Sequence, residues 1–134
     1  MQMSKEKGYI IKENAPIYLT KDMDRTLRWF KEVLGWHGGI DERDAEGKGT
    51  YGCAFSLPQE IGEGNIDSFT GIHMFYGEPK KGLLSFMYVE GIEEFRSFIL
   101  SNNWEQVSDI TMESWGGKTF NITTIDGYIL YCFQ

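Results

Sequence analysis

Positive charge is scarce in this chain. Thirteen Lys and Arg stand against twenty Asp and Glu, a formal net charge of −7. Proteins that hold nucleic acid carry basic surfaces, so nucleic acid is excluded as a partner. The acidic balance suits a cationic ligand, although plain solubility explains it equally well. Long apolar runs are missing too, and none approaches the ~18–20 residues that cross a bilayer, so no membrane partner is expected. No apolar stretch follows Lys5 and Lys7, so the polar first seven residues are read as a frayed end rather than a signal peptide. The expected compartment is the cytoplasm. Cysteine is limited to Cys53 and Cys132, in strand-like segments with neither a CxxC pattern nor metal spacing. With no basic cluster beside them, both are expected to be buried, reduced thiols. Ser56, Ser68 and Ser85 lack a G-x-S-x-G setting, and no phosphate-binding or dinucleotide glycine motif occurs.

What is present is enough apolar residue for one core. The 134 residues are 41% hydrophobic and 15% aromatic, which predicts a single domain over 1–134. "APIYLT" (15–20) reads as a strand. Asp22 is a natural N-cap for the helix that follows, where Met23, Leu27, Phe30 and Leu34 share a face and Gly35 provides the stop. "WHGGIDERD" and "GTYGCAFSL" suggest a hairpin about 45–48, "PQEIGEGNIDS" a loop, and "TGIHMFYG" a further strand. The order then recurs. "LLSFMYV" is a strand, and "GIEEFRSFILSNN" is a helix with Ile92, Phe95 and Ile99 inward. "WEQVSDITMES", "KTFNITT" and "YILYCF" make three more strands. Glu93 and Glu94 fall in a helix first turn, where acids complement the dipole, so they read as solvated rather than as an acid–base pair. The fold class is therefore α+β, with two strand–helix–three-strand modules at about 15–76 and 83–133. One helix covers only one face of its sheet. The other face must curl around a ligand, the other half, or another chain.

This plan resembles the glyoxalase/bleomycin-resistance/extradiol-dioxygenase (vicinal oxygen chelate) superfamily. "YLTKDMDRTLRWFKEVLGW" is similar to the family's first strand and helix. "SWGGKTFNITTIDGYILYCF" is similar to its last hairpin, with Thr124-Ile125-Asp126-Gly127 in place of a DPDG-type turn. The resemblance implies two tandem βαβββ modules whose curved sheet surrounds a cleft. In the family's enzymes the first and last strands of each module supply metal ligands, usually His, Glu or Gln. Those positions fall here on Ala15, His73, Leu84 and Tyr131. One imidazole does not make a site where three or four ligands are needed. No metal, cofactor or catalytic residue is therefore expected. His73 is read as a hydrogen-bonded wall residue or a polar anchor, and His37 as a surface residue.

Strand alternation, taken from the same positions, turns Ala15, Ile17 and Leu19 inward, with His73 and Phe75, Leu84, Phe86 and Tyr88, and Ile129, Tyr131 and Phe133. Leu130 and Cys132 then face the helices. The expected ligand-binding residues are His73, Phe75, Phe86, Tyr88, Tyr131 and Phe133. The same set could instead fill a core or a dimer interface. The reading favoured is a metal-free protein that binds, and possibly sequesters, an aromatic or cationic small molecule as a homodimer. The alternative is a metal-dependent lyase or dioxygenase of the same superfamily, similar to glyoxalase I.

Overall fold

The structure, a computed structural model, describes residues 7–57 and 70–134. The expected fraying at 1–6 and the loop at 58–68 lie outside the described residues. Two four-stranded sheets repeat one plan. Strand β1 (Ile17–Thr20), helix α1 (Met23–Trp29), β2 (His37–Arg43), β3 (Gly49–Ser56) and β4 (Thr70–Tyr76) form the first module. Strand β5 (Leu84–Tyr88), helix α2 (Ile92–Ser101), β6 (Thr111–Met112), β7 (Lys118–Thr123) and β8 (Ile129–Phe133) form the second. Sheet orders are β1-β4-β3-β2 and β5-β8-β7-β6, and in each the first strand runs parallel to the last. The two tandem modules are thus present, and neither sheet closes on itself.

Local chemistry sets the ends of α1. The Asp22 carboxylate accepts from Arg25 N–H at 3.1 Å, and Gly35 ends the segment in the left-handed region at φ 72°. The buried face is broader than expected. Thr26, Trp29 and Val33 are buried with Met23, Phe30 and Leu34, whereas Leu27 is only half-buried. After Trp29 the helix widens into a π-helical stretch over Phe30–Leu34. Trp29 and Phe30 are buried with Val33 and Leu34, each four residues on, so two rows point inward. Both rows find partners because the helix touches its own sheet and also the second module, where Trp29 meets Trp104 edge to face at 5.2 Å. The segment 104–114, expected as a strand, is mostly irregular. Only Thr111–Met112 pairs with β7, with an isolated bridge from Val107 to Ile122.

Side chains sew the modules together along β1 and β5, the edges of the two sheets. Tyr18 stacks on Tyr128 with ring centres 4.0 Å apart. Its hydroxyl shares a 2.9 Å hydrogen bond with Ser85. The Tyr128 hydroxyl accepts from Leu19 N–H at 2.8 Å and from Lys80 N–H at 3.1 Å. A second tie runs through hydroxyls: Asp22 N–H donates to Thr20, Thr20 shares a bond with Thr26, and Thr26 donates to the Asp126 carboxylate. Asp126 is the acid of the β7–β8 turn, so this chain joins the last hairpin to the start of α1. Asp126→Ala leaves buried hydroxyls without their acceptor and should destabilise the fold by ~1–3 kcal/mol in urea titrations. An unchanged midpoint would show that the tie carries no stability.

Candidate functional site

The alternation in β5 and β8 is regular. Leu130 and Cys132 are buried toward the helices, and Leu84, Phe86 and Tyr88 stand exposed on the other face. The register pairs Leu84 with Ile129, Phe86 with Tyr131 and Tyr88 with Phe133, so these six share the open face. Phe133 packs against Phe86, Tyr88 and Trp115 at 5.2–5.4 Å. In the first module, the pairs Ile17–His73, Cys53–His73 and Tyr51–Phe75 place those residues on the corresponding face.

A groove of about 550 Å³ opens on the first module, lined by Glu13, Asn14, Ala15, Ile17, Glu42, Tyr51, His73 and Phe75. Of the expected ligand-binding residues, the groove brings together His73 and Phe75, beside Ala15 and Ile17 from the same expected inward face. Phe86, Tyr88, Tyr131 and Phe133 do not line it and form the separate aromatic cluster on the second sheet. Sequence reasoning missed Glu13, Asn14, Glu42 and Tyr51. Tyr51 was legible, because it alternates with Cys53 and Phe55 in a recognisable strand. Glu42 was not. A bulge between Ile40 and Arg43 makes Asp41 the extra residue, so Glu42 rather than Asp41 comes opposite Tyr51. Thr50 then holds the Glu42 carboxylate at 3.0 Å.

His73 is the centre of a hydrogen-bonded row. Its Nε2 lies 2.9 Å from Glu13 Oε1 and its Nδ1 lies 2.9 Å from the Tyr51 hydroxyl. An ionised carboxylate only accepts, so Nε2 carries a proton, and in the neutral ring Nδ1 accepts from Tyr51. The rings of Tyr51 and His73 lie nearly parallel, 11° apart.

The family's metal positions do not fit a metal. Ala15, Leu84 and Tyr131 are poor donors or none, and both His73 nitrogens already have partners. No group of three or more His, Cys, Asp and Glu that could hold a metal ion occurs among the described residues. Cys53 corrects one expectation: it is half-exposed on the open face rather than buried. Desolvation, helped by Asp41 and Glu13, pushes its thiol above the usual range, away from the nucleophilic thiolate. Cys132 is buried as expected. His37 is exposed, its ring 5.9 Å from Phe55. Glu93 and Glu94 are exposed in the first turn of α2, and Glu93 pairs with Lys118.

The comparisons with known proteins agree with this geometry. A bleomycin resistance protein domain matches residues 15–77. The structure of a glyoxalase-related enzyme from Clostridium phytofermentans superposes with a TM-score of 0.82 at 46% identity, over 96% of this chain and 98% of that one. The chain belongs to the glyoxalase/bleomycin-resistance/dioxygenase superfamily. Two further solved structures share its fold at lower identity. A bleomycin resistance determinant encoded on transposon Tn5 aligns at 17% identity with a TM-score of 0.66, covering 92% of this chain and 98% of that one. A bleomycin-binding protein in complex with bleomycin aligns at 18% identity and 0.64, with the same coverage. No curated protein matches the chain.

Proposed function

We propose that this protein is a metal-free member of the superfamily that captures an aromatic or cationic small molecule on its open sheet face, in the cytosol and as a homodimer. The observation that carries this reading is the composition of the first-module groove. Tyr51 and Phe75 offer ring faces 5.0 Å apart, Glu13 and Glu42 offer carboxylates, and no Lys or Arg is among the lining residues. Such a wall favours a flat body with positive charge, through stacking and cation–π contact. The bleomycin-binding relative supports small-molecule capture as a use of this fold. Leu84, Phe86, Tyr88 and Trp115, each more than half exposed, supply apolar area for a second chain. Sedimentation should therefore give a species of twice 15.4 kDa. A single species at 15.4 kDa would count against the dimer.

The test is a thermal-shift screen of matched pairs, each a planar aromatic cation and its neutral isostere, followed by calorimetry. A planar cation should bind better than its isostere. Removing both carboxylates by Glu13→Gln and Glu42→Gln should erase that preference, weakening the cation about tenfold and leaving the isostere nearly unchanged. Tyr51→Ala should weaken both. Tyr131→Ala should weaken both only where the second sheet's aromatic face joins the same cleft. Equal affinities for cation and isostere in the unsubstituted protein would sink the charge argument.

A second reading is an enzyme, supported by the relative described as a glyoxalase-related enzyme and by the Tyr51–His73–Glu13 row, which has the connectivity to move a proton. Near-stoichiometric zinc, nickel or iron in protein purified without a chelator or a His tag would favour a metal-dependent lyase or dioxygenase. Capture without a metal predicts well under one ion per chain.

A further inference from the structure

A second cleft, of about 240 Å³, lies on the helix side of the molecule, away from the open sheet face. Its lining is Arg25, Arg28, Trp29, Glu32, Val33, Asn102, Asn103, Trp104 and Ile125. It sits where α1 of the first module meets the segment that follows α2.

Three observations give this cleft a chemical character opposite to that of the sheet groove. First, the indole N–H of Trp29 is buried and meets no acceptor among the described residues. Buried donors are rarely left unpaired, because the bonds lost with water are not replaced. The neighbouring ring of Trp104, at 73° to Trp29, offers only a π face, a weak substitute. The Trp104 N–H is by contrast satisfied by the Thr123 carbonyl at 2.9 Å. Second, neither Arg25 nor Arg28 makes an ion pair among the described residues, although the chain carries seven excess negative charges. Asp24, next to Arg25 in sequence, is engaged by Arg43 at 2.9 Å and feels Arg28 only through its field. Third, the walls between these donors are flat and apolar: Trp29, Trp104, Val33 and Ile125. Asn103 stands at the edge in the left-handed conformation, φ 63°, which fixes the chain's turn there. Asn102 is already committed to the Val33 carbonyl at 3.1 Å.

Two guanidinium groups against the one carboxylate of Glu32 leave the lining with a single net positive charge. We propose that this cleft is a binding site for a small planar monocarboxylate, distinct from the sheet groove and independent of what that groove holds. The carboxylate lies between Arg25 and Arg28, whose forked donors match its two oxygens. The flat body of the ligand rests on the indoles. Glu32 opposes binding by its like charge.

The probe is benzoate, titrated into the full chain labelled with nitrogen-15. The four tryptophans give separate indole N–H signals, and that of Trp29 is assigned as the one missing from the spectrum of Trp29→Phe. Benzoate should shift the Trp29 signal saturably. Arg25→Ala with Arg28→Ala should weaken binding about tenfold or more, and Glu32→Gln should strengthen it. All three positions are exposed, so the variants keep the fold. Benzylamine, of the same shape and opposite charge, should leave the signal in place. Inorganic phosphate should saturate it only weakly, because it cannot use the indole walls. The proposal is overturned by an unsaturable benzoate response, by a response the arginine variants do not change, by weakening in Glu32→Gln, or by phosphate binding as well as benzoate.

Discussion

Tyr128→Ala is expected to lower the stability of the fold by ~3–5 kcal/mol, a large part of the ~5–15 kcal/mol available to a domain of this size. Tyr128 is 1% exposed and is among the largest fully buried side chains. Removing it deletes the partner of Tyr18 and opens a cavity at the seam between the sheets. It also takes away the oxygen that accepts from Leu19 and Lys80, leaving backbone donors unpaired. The two contributions separate experimentally. Tyr128→Phe keeps the ring and loses the acceptor, so it should forfeit only ~1–3 kcal/mol. Urea unfolding followed by tryptophan fluorescence measures both. Equal losses for Phe and Ala would mean that the stacked ring contributes little and the hydroxyl carries the seam.

The second large effect is expected in alkali. Burial pushes the Tyr18 hydroxyl from 10.0 up to about 12, with the neighbouring Tyr128 adding to the rise and the Ser85 hydrogen bond opposing it. Burial likewise pushes the Cys132 thiol from 9.0 up to about 12. Both groups are neutral when protonated, and the folded state prefers that form. A folded-state value above the unfolded one means that the unfolded chain loses its proton first as pH rises. The stabilisation is therefore complete below the unfolded values and drains away between pH 9.0 and about 12. Each group should remove ~2–4 kcal/mol by the end of that window. Urea midpoints should hold level near neutrality and fall steeply in alkali. Between pH 9.0 and 10.0 the fall should belong to the two thiols, with half-exposed Cys53 giving the smaller share, and Cys132→Ala should remove most of that first part while leaving the later part. A flat stability profile through this window would show that neither group titrates from a buried position.

Several features were legible in the residues themselves. The helix start at Asp22, the stop at Gly35 and the repeated strand–helix–three-strand order rest on local rules, since caps and alternation act over a few residues. The assignment of faces in β5 and β8 follows from a period of two, uninterrupted in both strands, and it correctly turned Cys132 and Leu130 toward the helices. The positions that the resemblance aligns with metal ligands fall on Ala15, His73, Leu84 and Tyr131, the first placed from Asp22 and the last from Asp126-Gly127.

The tertiary structure decided the rest. The bulge in β2 moved Glu42 into the groove, an event that no alternation pattern announces because it consists of breaking one. Glu13 reaches His73 across sixty positions of sequence, so no local spacing could place it in the site. Residues 104–114 carry β-prone residues yet pair only briefly, because strand formation depends on a neighbour being in register and not on composition alone. Alternation puts Tyr18 on the face opposite Ile17 and Leu19, and the structure buries it at 3% exposure against Tyr128, a partner that no local spacing names. Sequence determined which residues could line a face. Which residues share a groove was set by how the two modules join, because that junction is made by contacts between parts of the chain from 67 to 109 residues apart.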